Sequence, residues 1–225
     1  MSTDRRSFLE RLTLGTVGIG AIDALRPAST HFDSLRLPDQ ADWDLSWTAK
    51  VTGQRKAVFD VPEIESGYGV WRAILVRKQY EDVLKVPQRE MSMVLVLRHN
   101  AIALAMNQAF WDKHNIGPDS KVMDPLTGKE TRHNPVAERT GEFALPGEMS
   151  GMALEPFMAS GGIVLGCALA FKDMIGKVQA ADKVDEAEAE RRAKTFLVPG
   201  IILQPSGVFA AQLAQDTGCR YVRAS

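Results

Sequence analysis

The chain has 225 residues, enough for one folded domain and a short tail. Its hydrophobic content of 45% and charged content of 24% are those of a globular protein that can bury a core. With 27 Lys and Arg against 28 Asp and Glu, the net charge of -1 provides no global field to attract nucleic acid or an anionic membrane.

Two cysteines, Cys167 and Cys219, exclude a disulfide scaffold and a four-cysteine zinc site. The four histidines, His31, His99, His114 and His133, show no HExxH or other ligand spacing. No metal ligand set and no cofactor is identified.

The N-terminus carries a targeting pattern. Residues 4–10 read DRRSFLE, with Arg5 and Arg6 paired ahead of Phe8 and Leu9. A weakly apolar, glycine-rich stretch follows over residues 12–24, and small residues near Ala28 suit a cleavage site. This resembles a twin-arginine export signal over residues 1–28, with a core too short and too polar to anchor in a bilayer. It predicts periplasmic delivery and a transient encounter with the export machinery. Residues 29–42 read as a linker, and a single domain is expected over residues 43–225.

Within that domain, Trp43 and Trp47 suit a first turn packed on the core. Residues 56–60 (KAVFD) predict a first strand. A 3.6-residue apolar period predicts a helix over 66–84, with Val70, Trp71 and Ile74 on one face. Residues 93–98 (MVLVLR) read as a strand buried on both faces, ending at His99 and Asn100. A helix is expected over 102–111. Residues 115–147 hold Pro118, Pro125, Pro135 and Pro146 with little periodicity, and are expected to form a lid or an oligomer arm. A further helix is expected over 149–159.

Residues 161–170 (GGIVLGCALA) predict a buried strand, a tight turn and a helix start, with Cys167 at the join. A thiol there meets the positive end of a helix dipole, which favours thiolate. The same position also suits a small buried filler. Residues 182–192 read as a solvated, charge-laced helix. A strand over 200–203 ends at Pro205, Ser206 and Gly207, a helix spans 208–217, and a short strand spans 220–223.

Alternating strands and helices predict an α/β fold with a parallel sheet. Three strand ends then share the carboxyl edge, bringing His99, Asn100, Gly166, Cys167, Ser206 and Gly207 to one place. There the imidazole would assist the thiol, and Asn100, Gly166, Ser206 and Gly207 would hold a small anion against helix N–H groups. Ser206 is also a simple helix cap, and His99 a simple turn residue. No GxGxxG or P-loop follows any strand, and the absence of CxxC argues against dithiol redox chemistry.

The strand ending in His99, the run GIVLGCALA and the closing PGIILQPSGVFAAQLAQDTGCRYVR together resemble the DsrE/DsrF-like family. The likeness runs from about residue 56 to the C-terminus, apart from the 115–147 insert. It implies a three-layer α/β sandwich with about five strands, a homotrimer or homohexamer, and sulfur relay through a persulfide on Cys167. The export signal and the insert depart from that family's pattern. The two readings are therefore a protein that binds or relays a small sulfur species through Cys167 and His99, and a non-catalytic ligand-binding or assembly module with a structural cysteine. Either takes a small sulfur-containing or anionic ligand and no nucleic acid. Cys219, at the opposite end of the sheet, is expected to stay unpaired, with Cys167 the more reactive thiol.

Overall fold

A computed structural model of the chain describes residues 43–138, 147–149 and 151–225. The expected export signal and linker lie outside the described residues. Five strands form one sheet: β1 (Arg55–Val61), β2 (Met91–Leu97), β3 (Ile163–Cys167), β4 (Ile202–Gln204) and β5 (Arg220–Arg223). They run in the order β4-β3-β2-β1-β5, and every pair is parallel. β2 sits at the centre and is buried along its whole length. Its apolar run, MSMVLVL, interrupted only by Ser92, has that reason: both faces are covered.

Side-chain alternation splits the core into two layers. Phe59, Val61, Leu95, Leu97 and Val164 point to one face. There they meet α1 (Tyr68–Leu84), α5 (Ala168–Asp182) and the 3-10 segment His99–Ala105. Val58, Val94, Val96, Ile163 and Leu165 point to the other face. There they meet Ala210, Ala211 and Ala214 of α7 (Gly207–Asp216) and the fully buried Trp47. Helices therefore cover both faces of an all-parallel sheet, the expected three-layer α/β arrangement. A charged helix, α6 (Glu186–Thr195), lies against α5, with Asp185 capping its N-terminus.

Two helices differ from the sequence expectation. The helix expected over 102–111 is broken at Met106, which is extended, and Asn107, whose side chain accepts a bond from the Phe110 amide. Asn107 is thus an N-cap that opens a new short helix, α2 (Gln108–Lys113). The helix expected over 149–159 is only α4 (Leu154–Ala159). Pro156 cannot bond back to Met152 and clashes with its carbonyl, so the helix cannot begin a turn earlier.

The described part of the 115–147 insert packs down onto the core. It contains a single turn, α3 (Ile116–Asp119), and buries Ile116, Val122 and Val136 in the α1-side layer. Asn134 is fully buried. Its amide donates to the carbonyls of Leu104 and Met106 at 3.0 and 2.8 Å, and its oxygen accepts from the Val136 amide at 3.0 Å. The insert therefore supplies partners for the backbone groups left open by the helix break.

Candidate functional site

β3 runs into α5 with no loop between them. Cys167 is both the last residue of the strand and the N-cap of the helix. Its φ of -77° and ψ of 112° are still extended, and its Sγ accepts a bond from the Ala170 amide at 3.4 Å. Capping is ordinarily the work of an oxygen from Ser, Thr, Asp or Asn. Here a sulfur takes that place, at the start of a fifteen-residue helix. Cys167 is 6% exposed.

Which face Cys167 points to follows from its neighbour. A Cβ on Gly166 would lie 2.9 Å from Leu203 and 3.3 Å from Ile102, both in the α1-side layer. Cys167 alternates with Gly166, so it faces α7, as Ile163 and Leu165 do. The register then fixes its flanking positions. Gly166 pairs with Leu97, so the next residues, Arg98 and Cys167, are neighbours. Cys167 in turn pairs with Gln204. Arg98, Cys167 and Gln204 thus occupy one row across β2, β3 and β4, at strand spacings of about 4.8 Å.

Gln204 is fully buried. Its amide nitrogen donates to the carbonyls of Asp44 and Leu203, while its Oε1 is buried without a partner among the described residues. Arg98 is tied down from the other side. Its Nε and Nη2 donate to the two oxygens of Asp60 at 2.6 and 2.8 Å. The Tyr221 hydroxyl donates to the same carboxylate at 2.6 Å. Burial pushes the Asp60 carboxyl up, but the Arg98 and Tyr221 hydrogen bonds and the nearby guanidinium charges outweigh it and hold it below the ordinary carboxylate value. The bond to Asp60, followed by burial, pushes the Tyr221 hydroxyl up.

The start of α7 closes over this row. Ser206 is its N-cap, with Oγ accepting from the Phe209 amide at 3.1 Å. A Cβ on Gly207 would lie 2.4 Å from the Arg98 Cβ, so only glycine lets the helix end approach so closely. Ser206 and Gly207 therefore position Arg98 and the helix terminus.

His99 and Asn100 turn the other way. His99 has a φ of 49°, which breaks the alternation of β2 and starts the 3-10 segment. Its Nδ1 lies 3.2 Å from Glu63 Oε1, and the Asn100 amide donates to Glu63 Oε2 at 3.0 Å. Both line a groove of about 760 Å³ with Ile102, Ile116, Asp173 and Lys177. Cys167 does not line that groove. The structure thus joins His99 and Asn100 through Glu63, sets Gly207 against Arg98 in the sheet position beside Cys167, and leaves Cys167 outside the groove of His99 and Asn100.

Sequence reasoning missed Arg98, Gln204, Asp60 and Glu63. Arg98 and Gln204 each directly precede a singled-out residue, and Asp60 is a lone charge in an apolar strand. Those signals were present. Nothing in the sequence pairs Asp60 with Tyr221, which lies 161 residues away.

Cys219 is a free thiol buried on the α7 face. Burial pushes it up, and Thr217 Oγ1 lies 3.8 Å from its Sγ. Arg220 pairs with Ala57, so Cys219 falls in the Lys56 row, six residues back from the Arg98 row along the strands. That is about 20 Å along the strands and about 14 Å across three of them. Cys167, also free, is out of reach of a disulfide with it in the same chain.

Among the described residues no group of three or more His, Cys, Asp or Glu is placed to hold a metal ion. No helix among them is long and apolar enough to cross a membrane. No protein-family model matches the chain, and a search of curated proteins finds no significant match.

Proposed function

We propose that the chain is a DsrE/DsrF-like protein that binds or relays a small sulfur species through Cys167. One observation carries this reading: the Cys167 Sγ takes the N-cap position of α5 and accepts the Ala170 amide at 3.4 Å. Such a cap fixes the sulfur against a backbone donor at the opening of a helix. The unpartnered Gln204 oxygen in the adjacent position is an acceptor for an S–H. In the relay step the Cys167 thiolate attacks the outer sulfur of a donor persulfide, R–S–SH. A new S–S bond forms, the donor S–S bond breaks, and the donor leaves as the thiolate R–S⁻. His99 acts outside this step, since its imidazole sits with Glu63 on the other face.

Intact mass of the protein purified anaerobically tests the reading. A sulfur adduct that disappears in Cys167→Ser supports it. Uniform unmodified mass after exposure to a persulfide donor contradicts it.

A second reading has its own support. The groove of about 760 Å³ that holds Glu63, His99 and Asn100 has Cys167 outside it. Under this reading the chain is a small-ligand-binding or assembly module and Cys167 is a structural cap. The homotrimer or homohexamer belongs to either reading. So does export: replacing Arg5 and Arg6 by lysine is expected to retain the protein in the cytoplasm. Normal periplasmic delivery of that double variant contradicts the twin-arginine assignment.

A further inference from the structure

The α1-side layer is incomplete at one end of the sheet. β5 is an edge strand whose four residues are all exposed, and α1 packs over β1 and β2 beside it. A cavity of about 390 Å³ remains between α1 and β5. Phe59 and Met93 form its floor, while Val76 and Tyr80 of α1 and Val222 of β5 form its walls. This is the size and apolar character of a small-molecule site.

Its rim carries one sign of charge. Arg55, Lys56 and Arg220 line the cavity, and no Asp or Glu does. Arg220 pairs with Ala57, and Arg55 precedes Ala57 by two residues. Both arginines therefore point to the α1 face as diagonal neighbours. Lys56 alternates with them, and its ammonium donates to the Thr217 carbonyl at 3.1 Å, on the Cys219 side of the sheet. Neither Arg55 nor Arg220 has a hydrogen-bond or ion-pair partner among the described residues. Two unpaired guanidiniums beside an apolar cavity suit an anionic group on an apolar body.

We infer that this groove binds an organic anion with an apolar body, its carboxylate or sulfonate on Arg55 and Arg220 and its body between α1 and β5. The site lies at the amino edge of the sheet and is independent of Cys167. A second copy of the chain is a poorer occupant. A two-fold contact through β5 would set Arg220 and Arg223 against the same residues of the other copy.

Calorimetric titration of the full chain with decanoate, decan-1-ol and decyltrimethylammonium tests this. Decanoate is expected to bind saturably at one site per chain. The alcohol should bind at least about tenfold more weakly, the scale of losing charge-assisted hydrogen bonds, and the cation should not bind. The double variant Arg55→Ala, Arg220→Ala should weaken decanoate by at least about tenfold and leave the alcohol unchanged. Both residues are exposed, so the fold should persist, and circular dichroism checks this. Cys167→Ser should bind decanoate as the parent does, which separates this site from the sulfur reading. Equal affinity for decanoate and the alcohol overturns the inference. So does decanoate affinity unchanged in the double variant, no saturable binding by millimolar decanoate, or self-association through β5 in its place.

Discussion

Asp60 is 2% exposed and charged, and its three hydrogen bonds come from residues far apart in sequence. An amide at this position would keep the shape and lose the charge that balances Arg98. Breaking a buried ion pair costs several kcal/mol, but the Arg98 side chain is 29% exposed and recovers part of its hydration. Asp60→Asn is therefore expected to destabilise the fold by about 2 kcal/mol, read as a lower urea midpoint at unchanged slope. The carboxyl is held below its ordinary value in the folded state. Its contribution is therefore fully present above about pH 4 and is lost as pH falls through the lowered folded value. The parent should lose stability over that acid range, and Asp60→Asn should lose less. Equal acid sensitivity in both would contradict the assignment. The pairing in this network was not legible in advance, because the sequence shows an isolated acid in a strand and not the tyrosine that meets it.

At the scale of elements, the strands were legible and the turns between site residues were not. MVLVL and IVL are continuous apolar runs, and only burial on both faces of a sheet accounts for them. The helix break at Met106–Asn107 was written in an asparagine that can cap, but the apolar period on either side hid it. The carboxyl edge was correctly placed, yet one residue with positive φ, His99, sends its side chain to the face opposite Cys167. Alternation cannot be read through such a turn. The helix α7 start depends on a close approach of the same kind. Gly207→Ala would put a methyl 2.4 Å from the Arg98 Cβ, so β2 and α7 must move apart. A loss of about 1–3 kcal/mol is expected, the range of overpacked cores, with calorimetric melting as the check. A variant as stable as the parent would show that α7 is not held at this distance.

For the whole molecule, a five-stranded parallel sheet with helices on both faces leaves its carboxyl edge as the natural place for chemistry. The large groove at His99 is a surface on which an assembly or a ligand would act. Light scattering on the purified protein is expected to give a trimer or hexamer, and a clean monomer at micromolar concentration would remove the assembly proposal. The central claim rests on Cys167 and is tested by loading it. The protein is treated with inorganic polysulfide, trapped with iodoacetamide, and mapped by peptide mass spectrometry. Cys219 serves as the internal control, since it is as buried, pushed up by burial, and at the far end of the sheet. The account predicts a trapped persulfide on the Cys167 peptide, absent from the Cys219 peptide and lost in Cys167→Ser. Equal labelling of both cysteines, or a persulfide on neither, would contradict it and leave Cys167 as a structural cap.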